Sequence, residues 1–305
     1  RQFVLNPFDV LQIESDQASG DLTGSRVEAD KPVAVFGGTQ CSNVPDTRCL
    51  SGKCPGTGKT CSGECTLICC CDHLEEQLLP RSAWGKSYVG PMLWQRTKEP
   101  AFWRVVASEP DTHVTLSPAV LSLPPLQAGE FVEFESAADL SISADKPVMV
   151  GQFMASSFLA AECGTCEGAA LFFPGSCSNG MGLCMDDTDC CGEHPGDPSF
   201  LIMIPNEQFR AEYVFLVPNK YASDYLSVVA KQGVAVRLDG TPLDQASSSP
   251  AGGSGYVVYR TAIADGVHTL DADYPVMAYV YGYDTDVSYG YPAGANVVVI
   301  NPAGL

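Results

Sequence analysis

Fourteen cysteines carry most of the chemistry legible in this sequence, and they fall into two groups. Cys41, Cys49, Cys54, Cys61, Cys65, Cys69, Cys70 and Cys71 form the first; Cys163, Cys166, Cys177, Cys184, Cys190 and Cys191 form the second. Thiolate and imidazole suit zinc, and "CTLICCCDH" (65–73) sets His73 beside four cysteines. That run lacks the paired Cys-x-x-Cys spacing of a zinc site, whereas an even count lets each group close on itself as disulfides. The expectation is four bridges in the first group, three in the second, and no metal. Cys177, Cys184, Cys190 and Cys191 are spaced like the front half of a cystine-knot miniprotein, although the cysteines that would complete a knot are missing.

Other chemistry is weaker. Asp186, Asp187 and Asp189 in "MDDTDCC", and Asp284 and Asp286 in "YDTD", offer oxygen ligands of the kind calcium takes. Neither follows the D-x-D-x-D-G loop pattern, so solvated acidic loops are expected. "SGKCPGTGKT" (51–60) ends like a phosphate-binding loop, but Lys53 stands where that loop needs glycine and no strand-then-helix context surrounds it. Hydrolysis by a triad needs a nucleophile, a base and an orienting group together. The four histidines, His73, His113, His194 and His268, accompany no Gly-x-Ser-x-Gly elbow and no His-Glu-x-x-His. No catalysis and no cofactor are expected. Tyrosine is the remaining candidate. In "YVYGYDTDVSYGYPAG", Tyr279, Tyr281 and Tyr283 alternate along one strand, and Tyr289 and Tyr291 lie beyond a turn. A large ring with a polar tip suits an interface, so Tyr283, Tyr289 and Tyr291 are the candidate binding residues. The competing reading is core and edge packing.

The elements that position these groups repeat. "EADKPVAVFGG" (28–38) returns as "SADKPVMVGQF" (143–153) and "DADYPVMAYVY" (271–281). Upstream, "FVEFES" (131–136) matches "YVVYRT" from Tyr256 and "VLQIES" from Val10, and "WGKSYVGPM" from Trp84 matches "FRAEYVFLV" from Phe209. "WRVVASEPDTHVTL" from Trp103 likewise matches "LSVVAKQGVAVRL" from Leu226. Apolar positions recur at period two, and 22 prolines and 29 glycines punctuate the chain, which predicts short strands and hairpins. The fold class expected is all-β: tandem antiparallel β-sandwich-like repeats with disulfide-rich loop insertions. The units are 1–72, the closing part of a first repeat with its cysteine-rich insert; 73–195, with the insert at 163–191; and 196–305, with the tyrosine-rich tail. Each repeated proline is expected at the first position of its strand, where no ladder bond is lost. Asp30, Asp145 and Asp273 would fix the entry turn. Because the inserts and the tail all follow the repeated strand, they should emerge at equivalent places and carry the contacts to partners.

Bulk properties narrow the class. At 305 residues and 45% hydrophobic the chain is globular, and a net charge of -19 leaves nothing to neutralise the phosphates of nucleic acid or to attract an anionic membrane surface. No stretch approaches the ~20 apolar residues of a membrane helix. Disulfide frameworks imply an extracellular, cell-surface or periplasmic setting. "RQFVLNPFDVLQ" lacks the regions of a signal peptide, so an export signal is expected upstream of Arg1.

"LTGSRVEADKPVAVFGG", "CDHLEEQLLPRSAWGKSYV", "EQFRAEYVFLVPNKYASDY" and "DVSYGYPAG" together resemble the N-terminal domain of the IgG Fc-binding mucus protein family, closest to versions in large secreted or surface proteins of bacteria. The resemblance spans nearly the whole chain. It implies an extracellular, β-rich, non-enzymatic binding or adhesion module, whose partner would be a protein or glycan outside the cell or copies of itself. The alternative is a structural subunit of a fibre or surface coat.

Overall fold

The computed structural model describes residues 1–16, 20–45, 71–160, 166–169, 174–178, 180, 182–184 and 195–302. Among them the chain is all-β, with one α-helical turn at Ser157–Ala160 and short 3-10 turns at Arg81–Ala83, Asn206–Gln208 and Gln245–Ser247. In order, the strands are β1 (Phe36–Ser42), β2 (Asp72–Gln77), β3 (Gly85–Gly90), β4 (Ala101–Ala107), β5 (Val114–Ser117), β6 (Phe131–Ser136) and β7 (Leu140–Phe153). After them come β8 (Cys166–Glu167), β9 (Gly175–Cys177), β10 (Leu183–Cys184), β11 (Phe200–Ile202), β12 (Arg210–Val217), β13 (Ser223–Lys231) and β14 (Val236–Leu238). The last are β15 (Thr241–Pro242), β16 (Ser249–Pro250), β17 (Tyr256–Ala262), β18 (Gly266–Asp284) and β19 (Val287–Pro292).

Two long strands organise everything else. The first half of β7 pairs antiparallel with β3 and β5, and its second half pairs with β4 and β11. β18 does the same: its first half meets β12 and β14, its second half β13 and β19. β6 lies beside β4 as β17 lies beside β13. A strand that leaves one layer and enters another makes the corner of a sandwich. The alternation of side chains then aims Trp103, Val105, Phe134, Val148 and Val150 into one core, with Tyr88 and Ile142 facing them from the other layer.

The repeated phrase sits at this corner and not at an entry turn, which corrects the sequence expectation. Pro147 and Pro275 are interior to β7 and β18, where the ladder changes partner and its register shifts. Missing an N–H costs nothing at such an irregularity, which is the second place a strand tolerates proline. The aspartates act across strands. Asp145 donates its N–H to the His113 carbonyl (3.2 Å) and accepts the His113 N–H (2.8 Å), and this bond holds its carboxyl below the usual range. Asp273 donates to the Ala235 carbonyl (3.1 Å) and pairs with Arg237 (2.8 Å). The expected local hairpins also fail: β4 and β5 do not pair with each other but with separate halves of β7. Local alternation specifies a strand, not its partner. The first phrase differs again, since residues 20–35 form no strand and only Phe36–Ser42 pairs, with β2.

The two large sheets share a core. The outward face of β18 carries Met277, Tyr279 and Tyr281, all fully buried in one cluster with Val89, Leu93 and Leu201 from the preceding half. At the rim of this contact, Arg260 Nε donates to the Met92 carbonyl (2.6 Å) and its Nη2 pairs with the Asp139 carboxylate. Asp139 also accepts from Met92 N (2.8 Å) and Ser249 Oγ (2.8 Å). Losing one member of a mostly buried ion pair costs about 3–5 kcal/mol, and the donors left around Asp139 soften that. Arg260→Ala is therefore expected to lower unfolding stability by about 2–3 kcal/mol, read as a reduced urea midpoint with an unchanged slope.

Candidate functional site

The described ends of the segments following the three repeated strands are tied to one another and to the core. Cys41 closes β1 and is bonded to Cys71, just ahead of Asp72 at the start of β2, so the 42–70 stretch leaves from a two-stranded base. That base is tied to the end of β7 by two bonds: Val44 N to Ser156 Oγ (2.9 Å) and Ser156 N to the Val44 carbonyl (2.8 Å). β8, β9 and β10 form a three-stranded sheet after β7, with Cys166 bonded to Cys184 and Cys177 also disulfide-bonded. Both bridges with described partners join cysteines of one group. Chain returning from this insert meets the tyrosine tail: Pro195 bridges Thr285, and Gly196 N donates to the Asp284 carbonyl (2.6 Å).

The tail folds back as β19 along β18. Tyr279 and Tyr281 are fully buried and Tyr283 is 5% exposed. Tyr283 donates to the Trp94 carbonyl (3.2 Å), and the Arg96 guanidinium lies 4.9 Å from its ring centroid. Its surface is spent inside the protein. Tyr289 and Tyr291, by contrast, are half-buried. The Tyr289 hydroxyl donates to Asp224 Oδ1 (2.6 Å), and its ring packs 4.5 Å from Tyr221. The Tyr291 hydroxyl donates to the Leu216 carbonyl. Gly282 makes this packing possible: a Cβ there would lie 2.5 Å from both Asp224 Oδ1 and the Tyr289 ring.

Around these rings the charge is negative. Tyr221 ionises less readily because of partial burial and the charges of Asp72, Asp224 and Asp284. Asp197 is buried, with its carboxyl pushed up to about 6 by desolvation and further by Asp72 and Asp286. Asp224 contacts Tyr289, which packs on Tyr221, and the charges of Asp72, Asp284 and Asp286 act on this region from farther away. The sequence reading did not single out Asp72, Tyr221 or Asp224, because only tertiary folding brings them together. Asp186, Asp187 and Asp189 lie outside the described residues, as do Cys49, Cys54, Cys61, Cys65, Cys69, Cys70, Cys163, Cys190 and Cys191. Among the described residues, no group of three His, Cys, Asp or Glu could hold a metal. The histidines bond to single carboxylates, His268 to Asp239 (2.7 Å) and His73 to Glu75 (3.2 Å). The region offers half-buried rings beside carboxylates.

Burial also sets a pH dependence. Desolvation pushes the Glu76 carboxyl up to about 7 and Asp197 to about 6, so the folded chain keeps both protons to higher pH than the unfolded chain. Folded protein binds more protons between about pH 4 and 7, and stability falls as pH rises through that window. His268, raised by Asp239 and the Ala264 carbonyl against desolvation, loses its contribution in the same direction. The lowered carboxyls of Asp21, Asp145 and Asp239 act only below their ordinary range, on acidification. The melting temperature should be higher at pH 5 than at pH 8, and Glu76→Gln with Asp197→Asn should remove most of that difference in calorimetry.

The human IgGFc-binding protein is 36% identical over 132 residues, a stretch that is 43% of this chain and 2% of that protein. This chain therefore spans a very small part of that relative's length. A solved anti-sigma factor domain-containing protein aligns over 70% of this chain and 84% of its own at 8% identity, with a TM-score of 0.18, too slight a likeness to bear on the fold. The model of the family described as IgGFc binding protein matches residues 1–282, so the chain belongs to the IgGFc-binding protein family.

Proposed function

We propose that the chain is a non-enzymatic binding and adhesion module of a larger secreted or cell-surface protein, organised as the units 73–195 and 196–305 behind residues 1–72. It meets a protein ligand at the end where its extensions converge. Family membership supports an extracellular binding role. The observation that carries the assignment is the packing of Tyr289 on Tyr221 and Asp224 in the tail that also meets, at Thr285 and Asp284, the chain returning from the second disulfide-closed extension. Two bridges hold the extensions close to their bases, so less ordering entropy is lost when a partner docks. Aromatic anchors amid carboxylates favour a basic protein face over a neutral glycan, and the charges speed encounter. The IgG Fc named in the human relative is one candidate ligand for this same surface.

The test uses the full chain immobilised on a sensor, with human IgG Fc fragment and the secreted proteins of its native milieu as analytes. Specific binding that weakens at 500 mM salt is expected to fall about tenfold or more in an Asp284→Lys, Asp286→Lys variant while the melting temperature stays unchanged. A ligand bound equally well by that variant and insensitive to salt would place recognition elsewhere.

A further inference from the structure

A second surface has the form of an unfilled joint. In the first half of the molecule, β3 packs its outward face against the second half. Val89 is 0% exposed there, in the cluster that holds Val229, Val258 and Tyr279. β12 occupies the corresponding place in the second half. The Tyr88 hydroxyl donates to the Val148 carbonyl (2.6 Å) and accepts from Gly85 N (3.3 Å). The Tyr213 hydroxyl donates to the Val276 carbonyl (2.6 Å) and accepts from Arg210 N (3.1 Å). This fixes Val214 as the counterpart of Val89, and Leu216 as that of Pro91. Yet Val214 is 71% exposed and Leu216 58%, and Leu216 faces its cross-strand partner Val267, which is 69% exposed. Val214 and Leu216 stand in solvent beside Val267, where the first half buries Val89 and Pro91.

An ion pair also closes the filled joint, at a position that Glu135 takes in the first half. Asp139, in the turn between β6 and β7, holds Arg260 on the outward sheet face of the second half. Asp265 lies in the matching turn between β17 and β18, preceded by alanine as Asp139 is, and it is exposed. On the outward sheet face of the first half, Arg104 projects from β4 beside Phe131 and Phe153. That arginine donates to Glu133 on the adjacent β6 (2.7 Å) and is also held by the 20–24 segment, where Asp21 pairs with it at 3.0 Å and Thr23 accepts from it. Gly24 lets this segment lie flat, since a Cβ there would come 2.0 Å from the Gly129 carbonyl.

We infer that the Val214–Leu216–Val267 face docks a second copy of this chain, head to tail. It receives the Arg104-bearing sheet face of that copy, and Asp265 takes the place of Asp21 at Arg104. The joint repeats between chains the contact that already joins the two halves within one. The segment around Asp21 competes for the same face and holds the association in check. A contact of this heterologous kind propagates, so assemblies larger than dimers are expected as concentration rises. The inference rests on strand pairing and exposure, not on the ligand surface.

Sedimentation velocity of the full chain across a wide concentration range tests it. Asp21→Lys, which repels Arg104 and frees its face, should strengthen self-association about fivefold or more. Val214→Lys with Leu216→Lys should weaken it at least about tenfold in the Asp21→Lys background. These lysines fall at solvent-exposed positions, and circular dichroism confirms that the variants remain folded. Wild type and Asp21→Lys both staying monomeric throughout would overturn the proposal, as would association that survives the paired lysines undiminished.

Discussion

Three tyrosine hydroxyls buried between the two sheets set the constraint on which the rest of the structure depends. Leaving a buried hydroxyl or amide unpaired costs about 1–3 kcal/mol, so Tyr279, Tyr281 and Tyr283 dictate what must lie opposite them. Tyr279 accepts from Ile204 N (3.0 Å), Tyr281 accepts from Trp94 N (2.8 Å), and Tyr283 donates to the Trp94 carbonyl. The segments at 92–96 and 201–204 are thereby pinned to β18. Once Trp94 is fixed, its ring stacks on Tyr225 (4.9 Å), and Arg96 reaches the carbonyls of Ala155 (2.8 Å) and Pro195 (2.9 Å) while pairing with buried Glu99. Those two carbonyls mark where the chain leaves for the second cysteine-rich insert and where it returns. Packing of the core thus decides where the extensions emerge.

The same logic separates the two surfaces of interest. At the extension end, polar and aromatic groups gather because the chain leaves and re-enters the fold there. On β12, aliphatic side chains stand exposed because that strand repeats the pattern of β3 without a neighbouring sheet upon it. The proposed recognition surface and the proposed contact between copies rest on different residues, although the Tyr291 hydroxyl links the tail to the Leu216 carbonyl of β12.

Much of the fold could be read from the sequence, for identifiable reasons. Period-two alternation in "RAEYVFLV" becomes β12, whose side chains alternate between solvent and core. The thrice-used phrase marks the strand around which each sheet is organised in two of its three occurrences. Its role as a corner was not legible, because proline is equally at home at a strand start and at a register break. Pairing was not legible either, since β4 (ending at Ala107) finds β6 (starting at Phe131) and β7 across a long stretch of intervening chain. For the site, alternation told that Tyr279, Tyr281 and Tyr283 share a face but not that another sheet covers it. Tyr289 and Tyr291 keep partial exposure, whereas Tyr221, Asp72 and Asp224 carry no local signal at all. Arg96, Arg260 and Asp139 were invisible for the same reason, as isolated charges that acquire meaning only across the joint.

If a shared core fixes the extensions in place, the two halves must unfold together. All three tryptophans lie in the first half, Trp84 and Trp103 away from the Trp94–Tyr225 contact at the joint, and every tyrosine except Tyr88 lies in the second. Equilibrium unfolding of the full chain, followed at once by tryptophan fluorescence and by the near-ultraviolet signal of tyrosine, is the most direct measurement. The account predicts one transition with coincident midpoints. Two separated transitions, with the tyrosine signal intact after the tryptophans are exposed, would contradict it.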